Sequence, residues 1–152
     1  MADVFTPCKR SEVMSRIRGK GNKNTELAMV KLFRRHGITG WRRHPAIFGR
    51  PDFVFRRRRV AVFVDGCFWH CCPKHSSLPV GHRAFWLKKF TANRKRDRLV
   101  NRTLRSLGWR VLRVWEHELA RRNEGRLRGR IRRVMAMRPY AFESAKKSPP
   151  KP

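Results

Sequence analysis

Acidic side chains are scarce in this chain. Asp plus Glu number 10 against 39 Lys plus Arg, a formal balance of +29 at pH 7 over 152 residues. A balance so one-sided repels itself in a compact state unless counterions or a polyanion offset it. Phosphate contact releases condensed counterions and favours basic surfaces, so nucleic acid is the expected partner. A membrane partner is not expected, because no apolar run approaches a bilayer span and the first residues do not read as a signal peptide. Internal repeats are lacking, which excludes solenoids and propellers. Cysteines are limited to Cys8, Cys67, Cys71 and Cys72, three of them crowded beside histidines. Without a secretory signal, that clustering points to a metal rather than to a disulfide framework.

What is present suffices for one modest core, since 40% of the residues are hydrophobic. A single domain over residues 1–138 is expected, opening with an arm and a short basic helix within residues 1–20. Residues 139–152, rich in Pro, Lys and Ser, read as a disordered basic tail. Ser11 can cap a helix from Glu12 to Arg18, and Asn24 or Thr25 a second one that runs to about His36 and stops at Gly37. Short strands are expected at Trp41–His44 and Asp52–Phe55. The run Arg56–Arg59 reads as a hairpin tip, and the β-branched run Val60–Val64 as a central strand. Residues 65–82 form a shaped loop. A long basic helix spans about His82 to Leu107, the last strand is Trp109–Trp115, and a final helix lies near Gly125–Met137. This order predicts an α/β core, helices packed on a small mixed sheet.

Three constellations carry chemistry. In Gly49-Arg50-Pro51-Asp52-Phe53, Pro51 stiffens the turn and places Asp52 at a strand's entry. A carboxylate there can hold a divalent cation, which prefers hard oxygen ligands, or can cap the turn. Glu26 shares a helix face with Met29, Val30 and Phe33, so it points toward the core and needs a metal-bound water or a basic side chain as partner. A first-turn Glu is also favoured by the helix dipole alone. The third is Asp65-Gly66-Cys67-Phe68-Trp69-His70-Cys71-Cys72-Pro73-Lys74-His75. Its Cys67, Cys72 and His75 form C-x4-C-x2-H, a three-ligand set for zinc. His117 is the expected fourth ligand, with Cys71 as competitor. A closed tetrahedral site of this kind is structural and takes no part in catalysis. Phe68 and Trp69, with Trp86 further on, are either core or a wedge that inserts between base pairs. A mismatched pair costs less to unstack, so such a wedge can discriminate. His70 has the near-neutral imidazole suited to general base or acid work.

Taken together, these segments resemble the very-short-patch repair endonucleases. The matching runs are Met14-Ser15-Arg16-Ile17, Asn24-Thr25-Glu26, Gly49-Arg50-Pro51-Asp52-Phe53, Gly66-Cys67-Phe68-Trp69-His70, Arg96-Asp97-Arg98 and Gly108-Trp109-Arg110-Val111-Leu112 through Trp115-Glu116, over about residues 8 to 120. The resemblance implies a restriction-endonuclease-like fold. It implies an enzyme that nicks one strand on the 5′ side of the T in a T:G mismatch, the lesion left when 5-methylcytosine deaminates. It makes Asp52 a metal-binding aspartate, His70 the catalytic histidine and Glu26 a supporting glutamate. Phe68, Trp69 and Trp86 become intercalating aromatics, and Cys67, Cys72, His75 and His117 the ligands of a structural Zn²⁺. Met14, Arg16, Arg18, Lys20, Arg50 and Asp97 are expected on the DNA or phosphate side. Two positions depart from the pattern. Val64 stands where threonine can occur, and Asp65 where histidine can.

On this reading Asp52 and the backbone carbonyl of Val64 hold a catalytic Mg²⁺, His70 activates the attacking water and Glu26 orients water on the metal. The expected partner is double-stranded DNA carrying the mismatch, with mismatch-repair proteins as possible further partners. The protein is expected to act as a monomer in the bacterial cytoplasm, on the nucleoid. Two rivals stand beside this reading, a non-catalytic zinc module that binds nucleic acid and a restriction or homing-type nuclease.

Overall fold

The structure, a computed structural model, describes residues 22–75, 78 and 82–137. The N-terminal arm with its expected helix, Met14, Arg16, Arg18 and Lys20, and the tail from 139 onward lie outside the described residues.

A mixed four-stranded sheet forms the centre: β1 (Arg42–Arg43), β2 (Phe53–Phe55), β3 (Val60–Asp65) and β4 (Arg110–Trp115), in that spatial order. The β1/β2 and β2/β3 pairs are antiparallel, and β3/β4 is parallel. Helices α1 (Glu26–Arg35), α2 (Arg83–Ser106) and α3 (Glu124–Ala136) flank the sheet. Two layers of side chains result. Phe53, Phe55, Val60, Val62, Leu112 and Val114 face Met29 and Phe33 of α1 and Leu127 and Ile131 of α3. Val54, Ala61 and Phe63 face Val100 and Leu104 of α2. The uninterrupted apolar run of β3 is thus explained: both its faces are covered, as a central strand beside a parallel neighbour requires. Phe33 centres the first layer, with its ring edge-on to Phe53 and Phe55 and tilted against Trp41.

Several boundaries differ from the sequence expectation for identifiable reasons. Neither Asn24 nor Thr25 caps α1 through its side chain. Asn22 organises that end instead, its carbonyl accepting from Leu27 N–H at 3.1 Å and its side-chain oxygen from Asn24 N–H at 2.9 Å. The strand expected at Trp41–His44 shrinks to Arg42–Arg43, because His44 takes a left-handed φ of 44°. Arg56–Arg58 forms a 3-10 turn rather than a bare hairpin tip. Arg59 closes it with φ 50° and donates to the carbonyls of Gly108 and Leu107, at 3.2 and 2.5 Å. Beyond β4 two further 3-10 turns, Glu116–Leu119 and Arg121–Asn123, appear that periodicity did not announce. Runs of three or four residues carry no repeat to read.

Replacing Phe33, which is fully buried, with Ala is expected to cost about 3–5 kcal/mol. Urea unfolding checks this, and a loss below about 1 kcal/mol would show that the α1 layer does not support the sheet.

Candidate active site and metal centre

The chemistry-bearing residues gather at the end of the sheet where β2 begins and β3 ends. Gly49 (φ 75°) and Arg50 (φ 47°) turn the chain sharply before the buried Pro51. A Cβ on Gly49 would lie 2.3 Å from a methyl of Val100, so glycine lets this loop pack directly on α2. Asp52 then extends the β2/β3 ladder with its side chain, Oδ2 accepting Val64 N–H at 2.7 Å. Desolvation raises the Asp52 carboxyl above its usual range, and the neighbouring Glu26 and Asp65 raise it further, against the pull of the Val64 amide and of His44. Three carboxylates therefore crowd one edge of a protein otherwise short of them. Basic side chains offset two of them, Glu26 through Arg43 and His44 and Asp65 through Arg113, and a cation beside Asp52 would lower its carboxyl in the same way.

Glu26 is 3% exposed. Its Oε1 lies 2.5 Å from His44 Nε2 and 3.1 Å from an Arg43 guanidinium nitrogen. Of the two kinds of partner its burial demanded, basic side chains are what the fold supplies. Sequence reading missed both. Two consecutive basic residues before Pro45 carry no periodicity, and only the short β1/β2 pairing delivers them to α1.

Asp65 ends β3 and is buried, with both oxygens 2.8 Å from one guanidinium nitrogen of Arg113. Burial pushes its carboxyl up, and Arg113 and His70 oppose this. His70 Nδ1 lies 3.7 Å from Asp65 and 2.7 Å from Asp97 Oδ2. Burial would raise Asp97 too, but the His70 hydrogen bond and the Arg113 charge overcome it and hold that carboxyl below its usual range. An ionised carboxylate only accepts, so Nδ1 carries the hydrogen. In the neutral ring, Nε2 then keeps a lone pair free to take a proton. The chain of contacts from Asp52 through Val64 and Asp65 to His70 puts the expected metal-binding aspartate and the expected catalytic histidine at the same sheet end.

The loop after β3 is fastened from two sides. On one side, the ligand atoms of Cys67, Cys72, His75 and His117 all lie within 4.8 Å of one another. His117 Nδ1 is 3.3 Å from Cys67 Sγ and 3.6 Å from Cys72 Sγ, and His75 Nδ1 is 3.7 Å from Cys72 Sγ. A tetrahedral ion with ordinary metal–sulfur and metal–nitrogen bonds sets such S···N edges at roughly 3.6 Å. The residues present fit a metal ion. Desolvation and its neighbour His75 lower His117, favouring the neutral, ligating ring. Cys71, the competitor for fourth ligand, turns away at φ 56° and packs against Trp86 and Phe90.

On the other side lies an aromatic cluster. Phe68 meets Trp69, Trp86 and Phe90 edge-to-face, with centroids 5.2 to 5.4 Å apart. Asn93 of α2 donates to Trp69 O at 2.9 Å. Trp86 is buried in this cluster at 5% exposure, whereas its helix neighbour Phe85 is 56% exposed. Phe68 and Trp69 are half-buried, and Arg50 is exposed beside the site.

A restriction-endonuclease-like α/β core, with acidic and imidazole groups at one sheet end of a strongly basic protein, defines the class: a DNA endonuclease. Comparison with known proteins narrows it. The family described as DNA mismatch endonuclease Vsr matches residues 2–76. Among relatives, the type II nicking enzyme V.NaeI of Lentzea aerocolonigenes is 56% identical over 69 residues, 45% of this chain and 42% of that protein. The type II nicking enzyme V.NmeAIP of Neisseria meningitidis serogroup A is 36% identical over 137 residues, 89% of this chain and 95% of that protein. The DNA mismatch endonuclease Vsr of Escherichia coli is 37% identical over 127 residues, 82% and 80% of the two chains. The chain belongs to the Vsr family of DNA mismatch endonucleases.

The titration of the site has a definite sign. Asp52 and Asp65 ionise near 3.8 when unfolded and higher when folded. Between those values the folded chain holds the extra protons, so their contribution to stability falls as pH rises through that window. Asp97, depressed when folded, contributes oppositely: its share is present above 3.8 and is lost as pH falls through its folded value. At neutral pH and without divalent cations, Asp52→Asn, which can still accept from Val64, is expected to raise Tm by a few degrees, at about 2–4 °C per kcal/mol for a domain this size. Calorimetry checks it, and a lowered Tm would mean that the carboxylate is not strained.

Proposed function

We propose that the chain nicks one strand of duplex DNA on the 5′ side of the T in a T:G mismatch, the product of 5-methylcytosine deamination, in very short patch repair. The observation that carries this is the His70–Asp97 pair set beside Asp52 at the sheet end, in a member of the mismatch-endonuclease family with a charge of +29. His70 Nε2 takes the proton of the attacking water, while Asp97 holds the ring in the required tautomer and stabilises the imidazolium that forms. Mg²⁺, held by Asp52 and the carbonyl of Val64, would supply the charge that stabilises the scissile phosphate. Glu26, braced by His44 and Arg43, keeps the acidic edge in place. Asp65 is committed to Arg113 and shapes the site through it.

Specificity rests on the aromatic wedge. Phe68 and Trp69, with Trp86 behind them, enter the base stack where a mismatch has already weakened it. Arg50 and the Lys and Arg side chains of α2 bind backbone phosphates and set register without reading sequence. The arm with Met14, Arg16, Arg18 and Lys20 adds further DNA contacts. Zn²⁺ in the Cys67, Cys72, His75 and His117 group is a structural staple that keeps loop 66–75 rigid and takes no part in hydrolysis. Among the described residues no helix is long and apolar enough to cross a membrane. The protein acts as a monomer in the bacterial cytoplasm, on the nucleoid, alongside mismatch-repair proteins.

Two experiments test this reading. In a strand-resolved assay on T:G and matched duplexes, only the T strand of the mismatch should be cut, and only with Mg²⁺. Asp52→Ala should abolish cutting and leave binding intact, and His70→Ala should slow it by about 10²–10⁴-fold. Equal cutting of the matched duplex would sink the mismatch assignment, and full activity in Asp52→Ala the metal assignment. Separately, the purified chain should carry one zinc, and chelation should lower Tm by several degrees. An unchanged Tm would remove the staple's structural role.

A further inference from the structure

We infer that Arg113 is a positioning residue of the nicking site, which acts on His70 through Asp97. The inference rests on the endonuclease reading above and adds a residue to it.

Arg113 sits in β4 opposite Phe63 of β3, on the face covered by α2. Its alternation partner in that strand, Val111, packs with the apolar layer under α2, so a charged side chain interrupts an otherwise apolar row. Every arm of the guanidinium is used. Nε donates to Asn101 Oδ1 at 3.0 Å, one terminal nitrogen reaches both oxygens of Asp65 at 2.8 Å, and the other reaches Asp97 Oδ1 at 3.1 Å. Its Cζ lies over the Phe63 ring, 4.6 Å from the centroid. The Arg113 carbonyl accepts from Arg130 of α3 at 2.9 Å, and Arg130 is itself paired with Glu118. The residue is thus gripped from the strand, from α2 and from α3.

The consequence lies in how Asp97 is divided. One oxygen is bound by Arg113, and the other is presented to His70 at 2.7 Å. Asp97 and Asn101 are four residues apart, on one face of α2, so the fork reads two successive helix turns and sets the rotation of that helix against the sheet. Without the fork, His70 is the one hydrogen-bond partner left to the Asp97 side chain among the described residues, and buried Asp65 loses its only charged donor among them besides the more distant His70. A lysine cannot replace it, because a single ammonium cannot reach acceptors on three residues as the planar fork does.

Removing Arg113 alone strands the buried Asp65 charge and risks the fold. The decisive variant is therefore the pair Asp65→Asn with Arg113→Met, which deletes both charges together and is expected to fold with a Tm near that of the parent chain. Three readings are taken on zinc-loaded, full-length protein. They are the single-turnover nicking rate on a T:G duplex at saturating enzyme, the affinity for that duplex, and the long-range nitrogen–proton NMR signal of the His70 Nδ1–H bonded to Asp97. The pair should nick about 10–100-fold more slowly with affinity within about twofold, and the His70 signal should be lost. In an Asp97→Asn background, adding the pair should change the rate less than about twofold, because both act through one imidazole. A folded pair that nicks at the parent rate, effects that add in full, or a loss confined to affinity each overturn the inference. If the parent chain does not nick T:G DNA at all, the functional reading fails. The NMR signal then decides alone, its survival in the pair overturning the positioning role and its loss supporting it.

Discussion

The parallel pairing of β3 with β4 is the constraint on which the rest hangs. Asp65 stands opposite Trp115, and Phe63 opposite Arg113. That register sets Arg113 beside Asp65 and Phe63, and it places His117, two residues past the strand, against Cys67, two residues past Asp65. A slip of one residue would turn Arg113 into the layer of Phe33 and Leu127 and carry His117 away from the thiols, because side chains alternate faces along a strand. The hydrophobic run of β3 and the alternating pattern of β4 together forbid that slip. Apolar packing therefore sets the geometry of both the candidate metal group and the candidate nicking site.

Scarcity gives the acidic residues their meaning. Of ten in the chain, Glu26, Asp52, Asp65 and Asp97 converge on one sheet end, where burial and mutual repulsion raise two of them. Surface stability at +29 would be served better by dispersing them. Holding them together costs folding free energy, a strain typical of a site built for chemistry. The neighbouring loop shows a related compromise. Its aromatic rings pack on each other and on α2, tied down by Asn93, while Phe85 is left in solvent. Its rings thus form a small satellite cluster apart from the two main layers of the core.

Much of this was legible along the chain. The three helices, the strands of the central pair and the C-x4-C-x2-H spacing announce themselves through hydrophobic period and ligand spacing, and the motif order suffices to name a family. The failures have a common form. Asn22, not Asn24 or Thr25, organises the start of α1, because capping depends on how the preceding loop approaches. The partners of Glu26 are Arg43 and His44, fixed by a two-residue strand too short to show a pattern. Arg113 left a faint trace as a charge on an otherwise apolar face of β4, but its targets are 12 to 48 residues away.

By itself, the sequence determined which stretches are helix or strand, which face of each is apolar and which residue types were available for chemistry, since these follow from local propensity and period. Only the tertiary structure decided which cysteine stands apart from the candidate metal group, which bases answer Glu26 and that one guanidinium joins Asp65 to Asp97. Those choices depend on where side chains distant in sequence end after the layers pack, and short-range patterns carry no information about that.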